Sequence, residues 1–224
     1  MSIVIPCLNE EETIGICIKK CFDVFSKLGI TGEVIVVDNN STDSSAKLAL
    51  ESGAKVCSNN IKGYGISLIK GFECASGEYI LFADGDDSYD FLEVEKFWKN
   101  RNMGDMILGS RFKGTICKGA MPALHRYFGT PFLTLCLNIL YGCKISDSQS
   151  GMRMCKKKDI DNINLESTGM EFASEILIKY AINKLTIYEI PVTLHKDGRT
   201  NHKPHLRPFR DGFRHLFYMI KKRF

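Results

Sequence analysis

Four carboxylates crowd into Asp84-Gly-Asp-Asp-Ser-Tyr-Asp90, directly after the apolar run Tyr79-Ile-Leu-Phe-Ala83. Acids this close repel one another and stay ionised together only where a cation or strong hydrogen-bond donors compensate. Asp84 and Asp86 have the spacing with which two carboxylates share one hard divalent ion. Such an ion can bridge to a diphosphate, so the chemistry suggested is the handling of a nucleotide-linked substrate. Asp87 and Asp90 are read as shaping the loop around that pair.

The elements that must position these acids follow from periodicity. Ser2–Pro6 is a short apolar strand. Asn9-Glu-Glu-Glu-Thr13 offers a helix cap and an acidic first turn. The helix runs to about Leu28, with Ile14, Cys17, Ile18, Cys21, Phe22 and Phe25 on one face. Glu33–Asp38 is a buried strand, and Ser41 or Thr42 caps a helix that ends near Ser52. Ala54–Ser58 is a third strand, a helix fills the stretch from Gly65 to Gly77, and Tyr79–Ala83 is a fourth strand. This β-α-β-α-β-α-β order predicts a parallel, doubly wound sheet. Ligands of such sheets bind beyond the carboxyl ends of the strands, which is where Pro6, Asp38 and Asp84 fall. Further on, a helix to Asn100, a strand Asp105–Ser110, a Gly- and Lys-rich loop Arg111–Pro122, a helix Glu171–Asn183 and a strand Thr186–Thr193 are expected.

Composition sets bounds. The 224 residues suffice for one large α/β domain or two small ones. Nine cysteines without a Cys-x-x-Cys pair fit neither a disulfide framework nor a zinc site, and point to a reducing cytosol. Met1–Pro6 lacks the basic start of a signal peptide. Leu124–Tyr141 is apolar but interrupted by His125, Arg126, Pro131 and Asn138. It is too broken for a membrane span and fits a core or an interfacial helix. Residues 1–110 carry 10 Lys/Arg against 17 Asp/Glu, and residues 111–224 carry 20 against 9. The acidic half suits a metal ion, and the basic half suits phosphate, nucleic acid or a membrane surface.

Other motifs admit two readings. Asp38-Asn-Asn-Ser-Thr-Asp43 is either a capping turn or the place where Asp38 meets a base or ribose. Lys62-Gly-Tyr-Gly65 is either a flexible loop or a cation and free N–H groups near phosphate. Asp147-Ser-Gln-Ser-Gly151 is a polar turn, and Glu171 and Glu175 share one helical face that is either solvated or close to the site. Arg199, His202, Lys203, His205, Arg207 and Arg210 form a basic stretch. It precedes a helix whose stripe is Phe209, Phe213, Leu216, Phe217, Ile220 and Phe224, flanked by Arg214, Lys221, Lys222 and Arg223. Such a helix either lies on a membrane or partner, or packs on its own core.

Taken together, Val4-Ile-Pro-Cys-Leu-Asn-Glu10, Val36-Val-Asp-Asn-Asn-Ser-Thr-Asp43, Ala83-Asp-Gly-Asp-Asp87, Gly109-Ser-Arg111, Ser150-Gly-Met-Arg153, Glu189-Ile-Pro-Val192 and Asp197-Gly-Arg199 resemble the inverting family 2 glycosyltransferases of GT-A fold. Within that family the chain looks like the polyprenyl- or dolichyl-phosphate sugar synthases. The resemblance implies a mostly parallel sheet flanked by helices, with a Rossmann-like nucleotide-sugar half and an acceptor half. It implies a catalytic domain over residues 1–208 and a C-terminal amphipathic helix over 209–224.

By the same resemblance, Pro6, Leu8, Glu10, Asp38, Asn39 and Lys62 hold the nucleotide sugar. Asp84, Gly85 and Asp86 hold its diphosphate, with Mg²⁺ or Mn²⁺ on Asp84 and Asp86. Arg111, Arg126 and Arg199 meet phosphate, and Asp86, Arg111 and Arg126 form the catalytic set. Three departures stand out: Asn39 replaces a second Asp common in the family, Ser88 replaces a metal-binding Gln of some members, and many members continue into transmembrane helices.

The expected reaction is hexose transfer from a UDP- or GDP-sugar to a polyprenyl phosphate at the inner face of a membrane. The protein is then peripheral and cytoplasmic, with a separate membrane-embedded partner possible and no role for nucleic acid. A phosphate monoester is already an anion at neutral pH, its second pKa being about 6, so it needs no strong general base. A saccharide hydroxyl would need one, and Asp147 and Glu171 would then be the candidates. A nucleotidyltransferase would carry a Gly-rich basic N-terminal loop, which Pro6-Cys-Leu-Asn-Glu10 is not. A non-catalytic membrane-recruiting protein would not need Asp38, Asp84 and Asp86 together.

Overall fold

The computed structural model describes residues 1–200 and 208–223, with residues 208 and 209 described by backbone alone. His202, Lys203, His205, Arg207, Phe224 and the side chain of Phe209 therefore lie outside the described residues. Seven strands form one sheet: β1 (Ser2–Cys7), β2 (Glu33–Asp38), β3 (Lys55–Ser58), β4 (Tyr79–Phe82), β5 (Met106–Ile116), β6 (Arg153–Lys156) and β7 (Ile187–Leu194). Their order is β3-β2-β1-β4-β6-β5-β7. All neighbours run parallel except β6, which is antiparallel to both β4 and β5.

The sheet is buried on both faces because its strands alternate two apolar sets. Ile3, Ile5, Val34, Val36, Leu81 and Met154 point to one side, under α1 (Ile14–Leu28), α2 (Ser45–Glu51) and α4 (Val94–Lys99). Val4, Ile35, Val37, Ile80, Phe82 and Cys155 point to the other, under α3 (Tyr64–Cys74), α5 (Thr130–Tyr141) and α7 (Phe172–Ile182). Near-continuous apolar strands under helices on both faces are the expected packing of a parallel sheet.

The predicted β-α-β-α-β-α-β half is present, with small shifts of boundary. The second half differs more. β5 continues through Ile116, so the stretch expected as a loop from Arg111 begins as strand, paired with β7 across an irregularity between Ser110 and Thr115. β6 and the short α6 (Lys157–Asn162) were not expected from the sequence. The reversal of β6 matters for the site. It pairs Phe82 with Arg153 and Leu108 with Arg153, so the turn before β6 arrives at the same edge as the carboxyl ends of β4 and β5.

Arg153 fixes that turn. It is buried and donates to the carbonyls of Ser148, Ser150 and Ala173 at 2.9–3.0 Å. The guanidinium thereby ties the turn to the start of α7 through three carbonyls.

Of the two readings of Glu171 and Glu175, the solvated face is wrong. Both are buried, because α8 (Pro208–Arg223) covers them. Arg214 donates to Glu171 at 2.7 Å, and Tyr218 donates to Glu175 at 2.9 Å. Glu175 also accepts the backbone N–H groups of Glu166 and Ser167. On α8 itself Asp211, His215 and Met219 turn inward, while Phe213 and Phe217 stay exposed. Buried polar partners on α7, among them Ser174 at 2.8 Å from His215 Nδ1, decide which face docks.

Candidate active site

The carboxyl edge of the sheet gathers the acids as the strand ends predict. β1 and β2 are in register with Cys7 beside Asp38, and β4 lies against β1 with Phe82 beside Val4. Leu8, Asn39 and Asp84 therefore emerge from neighbouring strands. Gly85 packs closely on Glu10: a Cβ there would lie 2.2 Å from Glu10 Oε2, so the carboxyl would have to shift. Gly151 packs closely on Asp84, where a Cβ would lie 2.6 Å from Oδ2. The backbones of the β4 and β6 turns thus close tightly around the acids.

Glu10 belongs to this cluster. It is buried, and its Oε2 has no hydrogen-bond partner. Burial, then the charge of Asp86, pushes its carboxyl well above the ordinary range, against the pull of Arg199. Burial and Asp86 raise Asp84 to about 6, while the Tyr64 hydroxyl and the more distant Arg111 and Arg199 favour its charged form. Asp86 is raised too, chiefly by burial, although Ser88 donates to its Oδ1 through N–H and hydroxyl at 3.0 and 2.6 Å. Asp87 and Asp90 face away and pair with Lys20 on α1 at 2.8 and 3.3 Å. Their reading as loop-shaping residues agrees with that.

Arg199 enters from the segment after β7. Its guanidinium contacts Asp197 at 2.6 Å and lies 3.6 Å from Glu10 and 3.7 Å from Asp86. The segment is strapped across the acidic turn: Gly198 N–H donates to Asp86 O, and His195 N–H to Ser88 O. Arg199, expected to meet phosphate, thus sits on the carboxylates.

Arg111 is held differently, by a two-pronged pair with the buried Asp147 at 2.7 Å, with its own N–H adding a third bond. Both Asp147 oxygens are consumed, so it is a poor candidate for a general base. Tyr89 closes this corner by accepting Gly151 N–H at 2.8 Å.

The other expected residues spread outward. Pro6 is buried in β1 and Leu8 half-buried just beyond it. Asn39 is buried and accepts Gly63 N–H at 3.4 Å, and Asp38 accepts from Ser41 N–H. Lys62 is exposed on that same loop. Arg126 lies in a π-helical turn, His125–Gly129, its guanidinium 5.6 Å from the Tyr127 ring. The neighbouring His125 is close enough to Arg111 that, after burial, the guanidinium lowers its pKa. The cluster also contains residues the sequence reading did not single out: Tyr64, Tyr89 and Asp197. Tyr64 sits inside the noted Lys62–Gly65 stretch and Asp197 directly before Gly198-Arg199, so the motifs were visible but these side chains carried no distinct signal.

No three His, Cys, Asp or Glu side chains among the described residues form a ready-made metal cage. Two carboxylates fit a hard cation that takes its remaining ligands from water and phosphate oxygens. Beside them the buried Glu10 Oε2 has no hydrogen-bond partner.

Without metal these acids cost stability. An acid whose folded pKa is raised binds its proton more tightly when folded, so stability falls as pH rises from about 4 through about 6. His215, lowered to about 4 by burial, works in the opposite sense over the same range. The two separate by mutation. Metal-free Asp84→Asn should gain on the order of 2 kcal/mol over the parent at pH 7, and denaturant unfolding should show the gain vanishing below pH 4.

A seven-stranded sheet with one reversed strand, and acids at its carboxyl edge, define a GT-A-type nucleotide-sugar fold. The sequence profile described as "Glycosyl transferase family 2" matches residues 2–163. The chain is 41% identical over 223 residues to the low-salt glycan biosynthesis hexosyltransferase Agl6 of Haloferax volcanii, covering 98% of this chain and 53% of that protein. It thus spans about half that relative's length. It is 30% identical over 217 residues to the dolichyl-phosphate hexose transferase of the same organism, covering 95% of this chain and 89% of that one. The glucosyl-3-phosphoglycerate synthase of Mycobacterium tuberculosis, solved with Mn²⁺, UDP and glucosyl-3-phosphoglycerate, superposes with a TM-score of 0.73 at 22% identity, covering 99% of this chain and 78% of that chain. The chain belongs to glycosyl transferase family 2.

Proposed function

We propose that the protein transfers a hexose from a UDP- or GDP-linked sugar to a polyprenyl or dolichyl phosphate, with inversion at the anomeric carbon. The observation that carries this reading is an exposed apolar face beginning beside the polar site. Past Arg126, Phe128, Phe132, Leu135 and Ile139 are exposed along one stripe of the π-turn and α5. The helix α8 packs beside α5, with Tyr141 donating to Met219 O, and carries an exposed stripe of its own, Phe213, Phe217 and Ile220. Exposed Arg210, Lys221 and Arg223 accompany the stripe. An apolar face this extended is unusual for a surface exposed only to water, and with basic neighbours it suits an anionic lipid surface. Among the described residues no helix is long and apolar enough to cross a membrane; the attachment proposed for this domain is through these exposed apolar residues. The names of the two archaeal relatives, a hexosyltransferase and a dolichyl-phosphate hexose transferase, agree with this reaction class.

In this reading residues 1–208 form the catalytic domain, and the helix beyond them helps to seat it. Pro6, Leu8, Glu10, Asp38, Asn39 and Lys62 line the nucleotide side. Asp84 and Asp86 would hold Mg²⁺ or Mn²⁺, which supplies positive charge to the leaving diphosphate; the Mn²⁺ and UDP named for the mycobacterial structure support that choice. Arg199 keeps the acids oriented and offers its charge to the same diphosphate. The acceptor monoester attacks as an anion, its oxygen forming the new bond to the anomeric carbon as the nucleoside diphosphate departs on the opposite face. Arg111 and Arg126 hold that acceptor phosphate in line. The consumption of Asp147 by Arg111 favours this over a saccharide hydroxyl acceptor, which would need a free base.

Arg126 tests the acceptor assignment. Arg126→Ala should raise KM for polyprenyl phosphate about tenfold or more, roughly one charge-assisted contact, while metal-dependent hydrolysis of the donor stays near normal. Equal loss of both activities would move Arg126 to the donor side or to the scaffold.

A further inference from the structure

Away from the carboxylates, Cys57 and Cys74 place their sulfurs 2.6 Å apart. Cys57 lies on the edge strand β3 and Cys74 is the last residue of α3. The separation is within about 0.6 Å of a covalent S–S bond, and disulfides form without backbone rearrangement only where two side chains already point at each other. Both residues are half-exposed, so a small oxidant can reach them. The other seven cysteines have no sulfur partner of this kind. Lys55 donates to Cys74 O at 3.0 Å; burial and then Cys74 push the Cys57 thiol up to about 11, outweighing the downward pull of Lys55 and Lys70.

We infer that Cys57 and Cys74 are a redox modification site that closes into an intramolecular disulfide. With a small-molecule disulfide as oxidant, one thiolate attacks a sulfur of RSSR and releases one RSH. The second thiol then displaces the second RSH, so two protein thiols and RSSR give one protein disulfide and two RSH. The ring so closed contains the loop Asn59–Gly63 and all of α3. That loop carries Lys62 and is tied to Asn39 through Gly63 N–H. Oxidation therefore tethers a loop at the nucleotide edge; that consequence rests on the function proposed above, whereas the disulfide itself does not.

The test is cysteine mapping on the whole chain. Reduced protein is incubated with oxidised glutathione, acid-quenched, unfolded, alkylated and digested. The expected result is a single linked peptide joining Cys57 to Cys74, lost on reduction, with the other seven cysteines alkylated. The thermal midpoint of the oxidised protein should rise by roughly 5 °C, and Cys57→Ser and Cys74→Ser should each abolish the rise. Full alkylation of both residues, a link from either to a different cysteine, or an unresolved glutathione adduct on either one would overturn the assignment.

Discussion

Asp86→Asn should cut sugar transfer by about 10³-fold or more while leaving the domain folded. The asparagine retains an Oδ1 acceptor for the two Ser88 donors at 3.0 and 2.6 Å, so the turn survives. What disappears is one of two charges proposed to hold the cation, in a pocket where burial already works against ionisation. Removing a preorganised electrostatic contact to the developing charge costs about 10²–10³-fold on its own, and loss of the shared ion adds to it. Stability should not fall, because Asp86 repels Asp84 and Glu10 in the metal-free protein. Asp86→Ala should lose as much activity, but with some loss of turn stability. Near-normal turnover of Asp86→Asn at saturating Mn²⁺ would remove Asp86 from the metal site.

The second large effect concerns the apolar face. Phe128 and Phe217 are 70% and 69% exposed, so replacing both with Asp removes little packing, and the thermal midpoint should stay within a few degrees. If the face inserts into lipid, each ring contributes about 1.5–3 kcal/mol of apolar burial. The double variant should then bind anionic phospholipid vesicles on the order of 10²-fold more weakly in a sedimentation assay. Transfer to a long-chain polyprenyl phosphate in those vesicles should fall in parallel, while transfer to a water-soluble short-chain phosphate should persist. Unchanged vesicle binding would mean that this face serves something other than lipid.

How far the sequence could be read depended on the physics at each place. Strands β1, β2 and β4 were legible because apolar residues fill them and turn residues bound them; the alternation of Ile3, Val4 and Ile5 between two cores is the structural counterpart. β6 was not legible. Arg153-Met-Cys-Lys156 is four residues long, opens on a buried arginine and runs against its neighbours, so neither length nor alternation announces it. The acids at the β4 end were visible as a pair. Glu10 was visible only as a nucleotide contact, because its place beside Asp86 comes from the close approach of two turns at Gly85. The C-terminal helix misleads for a related reason. Its apolar stripe suggests the buried face, yet Asp211, His215 and Met219 dock instead, since polar groups on α7 offer them partners. Local pattern does not register such distant partners.

The most direct measurement is a transfer assay with a panel of UDP- and GDP-sugars, with Mg²⁺ or Mn²⁺ and with polyprenyl phosphate in anionic vesicles, the product's anomeric configuration being read by NMR. The account predicts metal-dependent formation of a polyprenyl phosphosugar of inverted configuration from one donor class. Transfer confined to a saccharide hydroxyl, or a product formed equally well in excess chelator, would contradict it.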